Sequence, residues 1–162
     1  LYASYIGRVD PETLEVTEYE TPRKAPRRLR FDPQGNLWIP SLEEGYLMKF
    51  NAVERRFEKE YRLPLLAPNQ YETPYALNIH PKTGEIWITS NLSDRWFRFN
   101  PRSEVFISYP SPTRVTFMRD FIFLPDGQAC SSNSNLPAAA IEGGRPKIMC
   151  IDPGEIGRGA TR

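Results

Sequence analysis

The sequence predicts an all-β protein, a segment of a β-propeller built from four-stranded antiparallel blades. Three observations lead there. Apolar and aromatic residues alternate with polar ones in short runs, as in Trp96, Arg98 and Asn100 against Phe97 and Phe99, the pattern of a half-buried strand. No helix-length window carries apolar residues at i, i+3, i+4 and i+7, and 16 prolines and 10 glycines interrupt the runs. The runs also recur. Trp38, Trp87 and Cys130 each stand three residues after a turn glycine, at spacings of 49 and 43 residues, and Tyr19, Tyr61 and Tyr109 follow at 42 and 48. A period of roughly 40–50 residues holding about four strands marks a propeller blade.

In chain order, residues 1–22 (with IGRV and a closing TEYETP) supply only the third and fourth strands of a blade. Residues 23–64 form a complete blade from LRFD, NLWIPS, YLMKFN and FEKEYRLP, and residues 65–112 form a second around GEIWITSNLSDRWFRFNPRSEVFISYP. Residues 113–153 supply the first three strands of another, and 154–162 a tail. Propellers close with about four to eight blades, and two complete blades with two partial ones leave open sheet edges that invite pairing. The segment is therefore expected to be the C-terminal part of a larger propeller, its ring completed by further blades of the same protein or by another chain. The opening on Leu1, in mid-repeat and without Met, fits that expectation.

With 162 residues, 40% hydrophobic and 12% aromatic, the chain has material for a core. Twenty-one basic against twenty acidic residues give no imbalance that calls for nucleic acid. No apolar run approaches the roughly 20 residues of a membrane helix, so no membrane insertion is expected. The local exception is Arg23, Lys24, Arg27, Arg28 and Arg30, read as a solvated turn or as an anion-binding rim.

Hairpin register carries the cysteines. If the second and third strands of each blade pair about their short turn, Trp38 faces Lys49 and Trp87 faces Arg98, each a ring opposite a cation. Transferred to the last unit, the same positions become Cys130 and Cys150. Cross-strand neighbours lie within disulfide reach, so a bridge is expected, with two buried free thiols as the alternative. A bridge favours an oxidising compartment, periplasmic or secreted. No CxxC, CxxCH or His-rich spacing points to a metal or haem.

IGRVDPETLEVTEYETP, FDPQGNLWIPS and HPKTGEIWITSN together resemble the repeat of the streptogramin (virginiamycin) B lyase-like propeller family, whose blades read approximately PHGI, DPDGNLWFTE, IGRI and EYPLP. The likeness extends over nearly the whole chain. It implies a propeller whose lyases linearise a cyclic depsipeptide by carbon–oxygen bond elimination, with Mg²⁺, a general-base His from PHGI and Glu from WFTE near the axis. Here the PHGI position holds Arg27, Tyr75 and Arg119, and the WFTE glutamate is replaced by Ser41, Ser90 and Asn133. The sole histidine, His80, stands where the family has the Asp of DP, in a turn, and is read as an exposed turn residue rather than a base.

No catalytic residue is therefore assigned within these residues, and no cofactor; Mg²⁺ enters only if absent blades supply a lyase site. The favoured function is an extracytoplasmic binding or interaction scaffold whose axial opening presents Arg27, Tyr75, Arg119, Ser41, Ser90 and Asn133 to a small polar or anionic ligand. The bland alternative is that these groups satisfy one another, with Asp120 pairing Arg119. The enzymatic alternative is a Mg²⁺-dependent lyase with its catalytic set on other blades.

Overall fold

The computed structural model describes residues 3–114, 116–133, 147–152 and 154, with the side chain of Asn133 excluded. These form thirteen strands and no helix. The first sheet is the hairpin β1 (Tyr5–Val9) and β2 (Val16–Glu20). The second runs β3 (Arg30–Phe31), β4 (Asn36–Ser41), β5 (Tyr46–Asn51) and β6 (Arg56–Arg62). The third repeats that order with β7 (Pro74–Ile79), β8 (Ile86–Ser90), β9 (Arg95–Asn100) and β10 (Val105–Pro110). The last holds β11 (Phe121–Phe123), β12 (Ala129–Asn133) and β13 (Lys147–Ile151). All pairings within the sheets are antiparallel between consecutive strands, the meander of a propeller blade.

The core lies between the sheets. Ile6 and Tyr19 of the first hairpin pack on Leu37, Ile39, Met48 and Phe50 of the second sheet. Trp38, Leu47 and Leu63 of the second sheet meet Leu77, Ile86, Ile88, Phe97 and Phe99 of the third. Trp87 and Trp96 of the third sheet meet Met118, Phe121, Ala129 and Met149 of the last. Alternation makes this possible, because each central strand sends successive side chains to opposite faces and both faces are covered.

The expected register is present: Trp38 pairs with Lys49, Trp87 with Arg98 and Cys130 with Cys150. Cys130 and Cys150 are joined as a disulfide. The expected cation stacks differ between blades. The Arg98 guanidinium stands 6.0 Å from the Trp87 ring, but the Lys49 ammonium turns to Glu58 (2.8 Å) while Trp38 stacks on Tyr61. A carboxylate across the hairpin outcompetes the ring for a compact ammonium.

Turn chemistry repeats with the blades. Asp10, Asn51 and Asn100 each accept two backbone amides from the following turn, and Leu14, Arg55 and Glu104, four residues further on, all adopt positive φ of 55–61°. Side chains other than Gly and Asn pay a steric penalty there. Arg55 is exposed and its side chain makes no hydrogen bond or ion pair among the described residues, so Arg55→Gly is expected to raise stability by about 0.5–1 kcal/mol in urea titrations, after allowing for the freer unfolded glycine.

Among the described residues, one ion pair is buried on both sides. The Glu72 carboxylate accepts from Arg95 Nη2 and from the Ser93 hydroxyl, while Arg95 also donates to the Pro64 carbonyl (2.6 Å) and the Ser108 hydroxyl (3.1 Å). It ties the segment before β7 to the turn between β8 and β9.

Candidate functional site

Strands β3, β7 and β11 are the first strands of their sheets; Arg27 and Arg119 lie in the segments leading into β3 and β11, and Tyr75 at the equivalent position is the second residue of β7. A parallel bridge from Arg28 to Ala76 and a hydrogen bond from Asn78 Nδ2 to the Phe121 carbonyl (3.1 Å) hold the three side by side. In the second and third sheets the start is bolted to the end of the second strand. Arg27 N donates to the Pro40 carbonyl (2.9 Å), Leu42 N to the Ala25 carbonyl (3.0 Å) and Asn91 N to the Thr73 carbonyl (3.0 Å). Two residues ahead of Arg27 and Arg119, Ala25 and Phe117 adopt positive φ of 54° and 47°. For Phe this is a rare conformation, maintained only where surrounding structure imposes it.

The guanidiniums of Arg27 and Arg28 stand 5.9 and 5.7 Å from the Tyr75 ring. Arg28 and Arg30 both donate to Asp120 Oδ2, at 2.7 and 3.4 Å. Arg119 is exposed, lies over Phe117 at 5.0 Å, and forms no ion pair with any described residue. Asp120 thus pairs with Arg28 and Arg30 rather than with its neighbour Arg119. Adjacent residues on extended backbone point apart, and the acid meets bases from another blade.

The remaining candidates are placed differently. Ser41 and Ser90 are fully buried; Ser41 Oγ donates to the Lys24 carbonyl (2.7 Å), and Ser90 Oγ accepts from Thr73 N (3.0 Å). They brace the segments ahead of β3 and β7 from within. Asn133 ends β12, and its side chain lies outside the described residues. Within the basic cluster, Arg23 pairs with Glu60 and Glu44.

His80 is buried, only 1% exposed, contrary to the expected exposed turn residue. Its Nδ1 accepts from Lys82 N (3.3 Å) and Thr83 N (3.2 Å), and its ring packs edge-on against Phe123. Asp32 does the same job in the preceding blade, where its second oxygen also accepts from Trp38 Nε1 (2.9 Å). An imidazole has no second acceptor on that side, and Trp87 Nε1 has no partner among the described residues. Burial lowers the His80 pKa below the ordinary 6.5, partly offset by Glu85 and the Gly127 backbone. The unfolded chain then takes up the proton first, so stability is expected to fall as pH drops through 6.5. As the chain's only histidine, His80 dominates that window; denaturation curves between pH 7 and 5 should flatten in His80→Gln.

No family model and no curated protein matches the sequence. Solved structures do. A catalytically inactive histidine-to-alanine variant of virginiamycin B lyase from Staphylococcus aureus, determined with Quinupristin, superposes with a TM-score of 0.71 at 18% identity over 93% of this chain and 49% of that one. A streptogramin B lyase gives 0.71 at 21% identity over 93% and 48%. The fold is that of the streptogramin B lyase propellers. Kuenenia stuttgartiensis hydrazine synthase shares it too, with a TM-score of 0.73 at 16% identity over 92% of this chain and 40% of that one. The chain spans about half the length of the two lyases.

Against that fold, the residues present do not fit Mg²⁺. A hard divalent cation takes several oxygen ligands, and the carboxylate nearest the candidate residues, Asp120, is engaged by two guanidiniums. Among the described residues no group of three or more His, Cys, Asp or Glu is placed to hold a metal.

Proposed function

We propose that this streptogramin lyase-like propeller segment is an extracytoplasmic binding module whose axial opening takes a small anionic ligand. The observation that carries the reading is the charge beside Tyr75: Arg28 stands over its ring and shares Asp120 with Arg30, while Arg119, next to Asp120 in the chain, lies over Phe117 and forms no ion pair with any described residue. Guanidiniums in excess of their acids, on neighbouring rigid strands, suit the bidentate recognition of a carboxylate or phosphate. Arg27 and Tyr75 line the same opening, while Ser41 and Ser90 hold its walls. The Cys130–Cys150 disulfide supports a periplasmic or secreted location. Further blades, of the same protein or of another chain, would complete the ring, a reading supported by the two-stranded first sheet and the half-length coverage.

Citrate and inorganic phosphate, titrated calorimetrically into the full-length protein, should bind with an affinity that falls with salt. Arg28→Ala and Arg119→Ala should each weaken binding about tenfold, the size of one charge-assisted hydrogen bond. Affinity unchanged from the unsubstituted protein in both variants would defeat the proposal.

The fold likeness favours a second reading, a carbon–oxygen lyase with its catalytic residues on other blades. Elimination opens the ring without changing the mass, so a full-length lyase would convert a type B streptogramin in the presence of Mg²⁺ into an isomer of shifted retention. Unchanged depsipeptide would remove this reading and leave the axial site untouched.

A further inference from the structure

On the same face as the axial opening, but above the third sheet, lies a separate cleft of about 730 Å³. It runs between the segment leading into β7, the turn between β8 and β9, and the segment that follows β10. Its volume is that of a ligand site rather than a packing defect.

Floor and rim differ in kind. The floor side chains are committed to the scaffold: Ser93 and Arg95 to Glu72, Asp94 Oδ1 to Thr116 N (2.7 Å) and Oγ1 (2.6 Å), and the Ser111 hydroxyl to Met149 Sδ (3.3 Å). Ser111 N also donates to the Asp94 carbonyl (2.7 Å), which ties two walls together. The rim side chains Asn69, Gln70, Tyr71 and Arg114 are exposed and make no hydrogen bond or ion pair among the described residues, and the Tyr71 residue is 62% exposed. The cleft is therefore preformed and rigid below, with unspent recognition groups above.

Those four groups define a chemistry. An exposed phenol ring offers an apolar face, suited to the C–H face of a sugar ring. Two primary amides offer paired donors and acceptors, suited to vicinal hydroxyls. The uncommitted charge is a guanidinium, suited to a carboxylate held bidentately. Leu66 and Leu92, each 63% exposed, also line the cleft, and a peptide is the competing occupant that the test below separates from a sugar.

We infer that this cleft binds a short oligosaccharide bearing a carboxylate, with Tyr71 under a sugar ring, Asn69 and Gln70 on its hydroxyls and Arg114 on its acid. The test is calorimetric titration of the full-length protein with digalacturonate, with neutral galactobiose and with a glutamate tripeptide. Digalacturonate should bind at least about tenfold more tightly than either control. Tyr71→Ala and Arg114→Ala should each lose about tenfold or more, with unchanged thermal unfolding because both residues are exposed. Arg114→Lys should recover only part of the loss, since an ammonium lacks the fork. Arg119→Ala, at the axial opening, should leave this binding unchanged. The inference is overturned if digalacturonate does not bind, if galactobiose or the tripeptide binds equally well, or if the affinity follows Arg119 and not Arg114. An effect of Arg119→Ala on citrate binding alone would bear on the axial site and not on this one.

Discussion

Glu72→Ala is expected to destabilise the protein by about 3–5 kcal/mol, because it leaves the Arg95 guanidinium buried without its counter-charge. The carboxylate is 1% exposed and the guanidinium 7%, so water cannot take over either role. Arg95→Ala should cost a similar amount for the mirror reason. The double variant Glu72→Leu with Arg95→Met should be far milder than the sum, since burying apolar groups of similar size removes the desolvation penalty with the pair. Urea unfolding of the two single variants and the double one measures all three. A loss under about 1 kcal/mol in Glu72→Ala would show that water reaches Arg95 and that the pair is no structural clamp. The clamp matters because it fixes the floor of the cleft: a loosened segment before β7 would also shift the rim residues Asn69, Gln70 and Tyr71.

Breaking the Cys130–Cys150 disulfide, by Cys130→Ser with Cys150→Ser or by reductant, is expected to remove about 3 kcal/mol. That value follows from the entropy of closing a loop whose ends are 20 residues apart. For a chain of this size the loss corresponds to a fall in Tm of roughly 6–12 °C. The effect should concentrate in the last sheet, because β12 and β13 bracket a long connection and the bridge holds their register. Amide exchange should therefore quicken at Ala129 to Ser132 and Lys147 to Ile151 well before the second and third sheets respond. Uniform quickening throughout the chain would mean that the sheets unfold as a single unit.

Much of the architecture is legible in the residues themselves. The Trp38, Trp87 and Cys130 positions, each three after a glycine, place the second strand of every blade, and the hairpin register from that anchor reaches Lys49, Arg98 and Cys150. Period-two alternation and turn chemistry are local properties, so they can be read without coordinates. The site was less accessible. Arg27, Tyr75 and Arg119 stand at equivalent repeat positions, but the engagement of Arg28 and Arg30 by Asp120 joins residues 92 and 90 positions apart. The basic run from Arg23 to Arg30 was the available signal, and it did not say which cations face the axis and which, like Arg23, face Glu60. The buried pair of Glu72 and Arg95 left no trace in any motif, because burial of a charge depends on packing and not on spacing.

His80 illustrates the same divide. Its place in the repeat, where Asp32 stands one blade earlier, is evident from the residues, and so is its turn. That the ring is buried against Phe123 follows from packing between the third and last sheets. By itself, then, the sequence determined the all-β class, the blade rhythm, the hairpin register and the pairing of the two cysteines. Tertiary structure alone decided which polar groups are sealed, which are paired across blades and which face solvent. Strand pattern is written in neighbours along the chain, whereas exposure and charge pairing arise only when separate sheets are brought together.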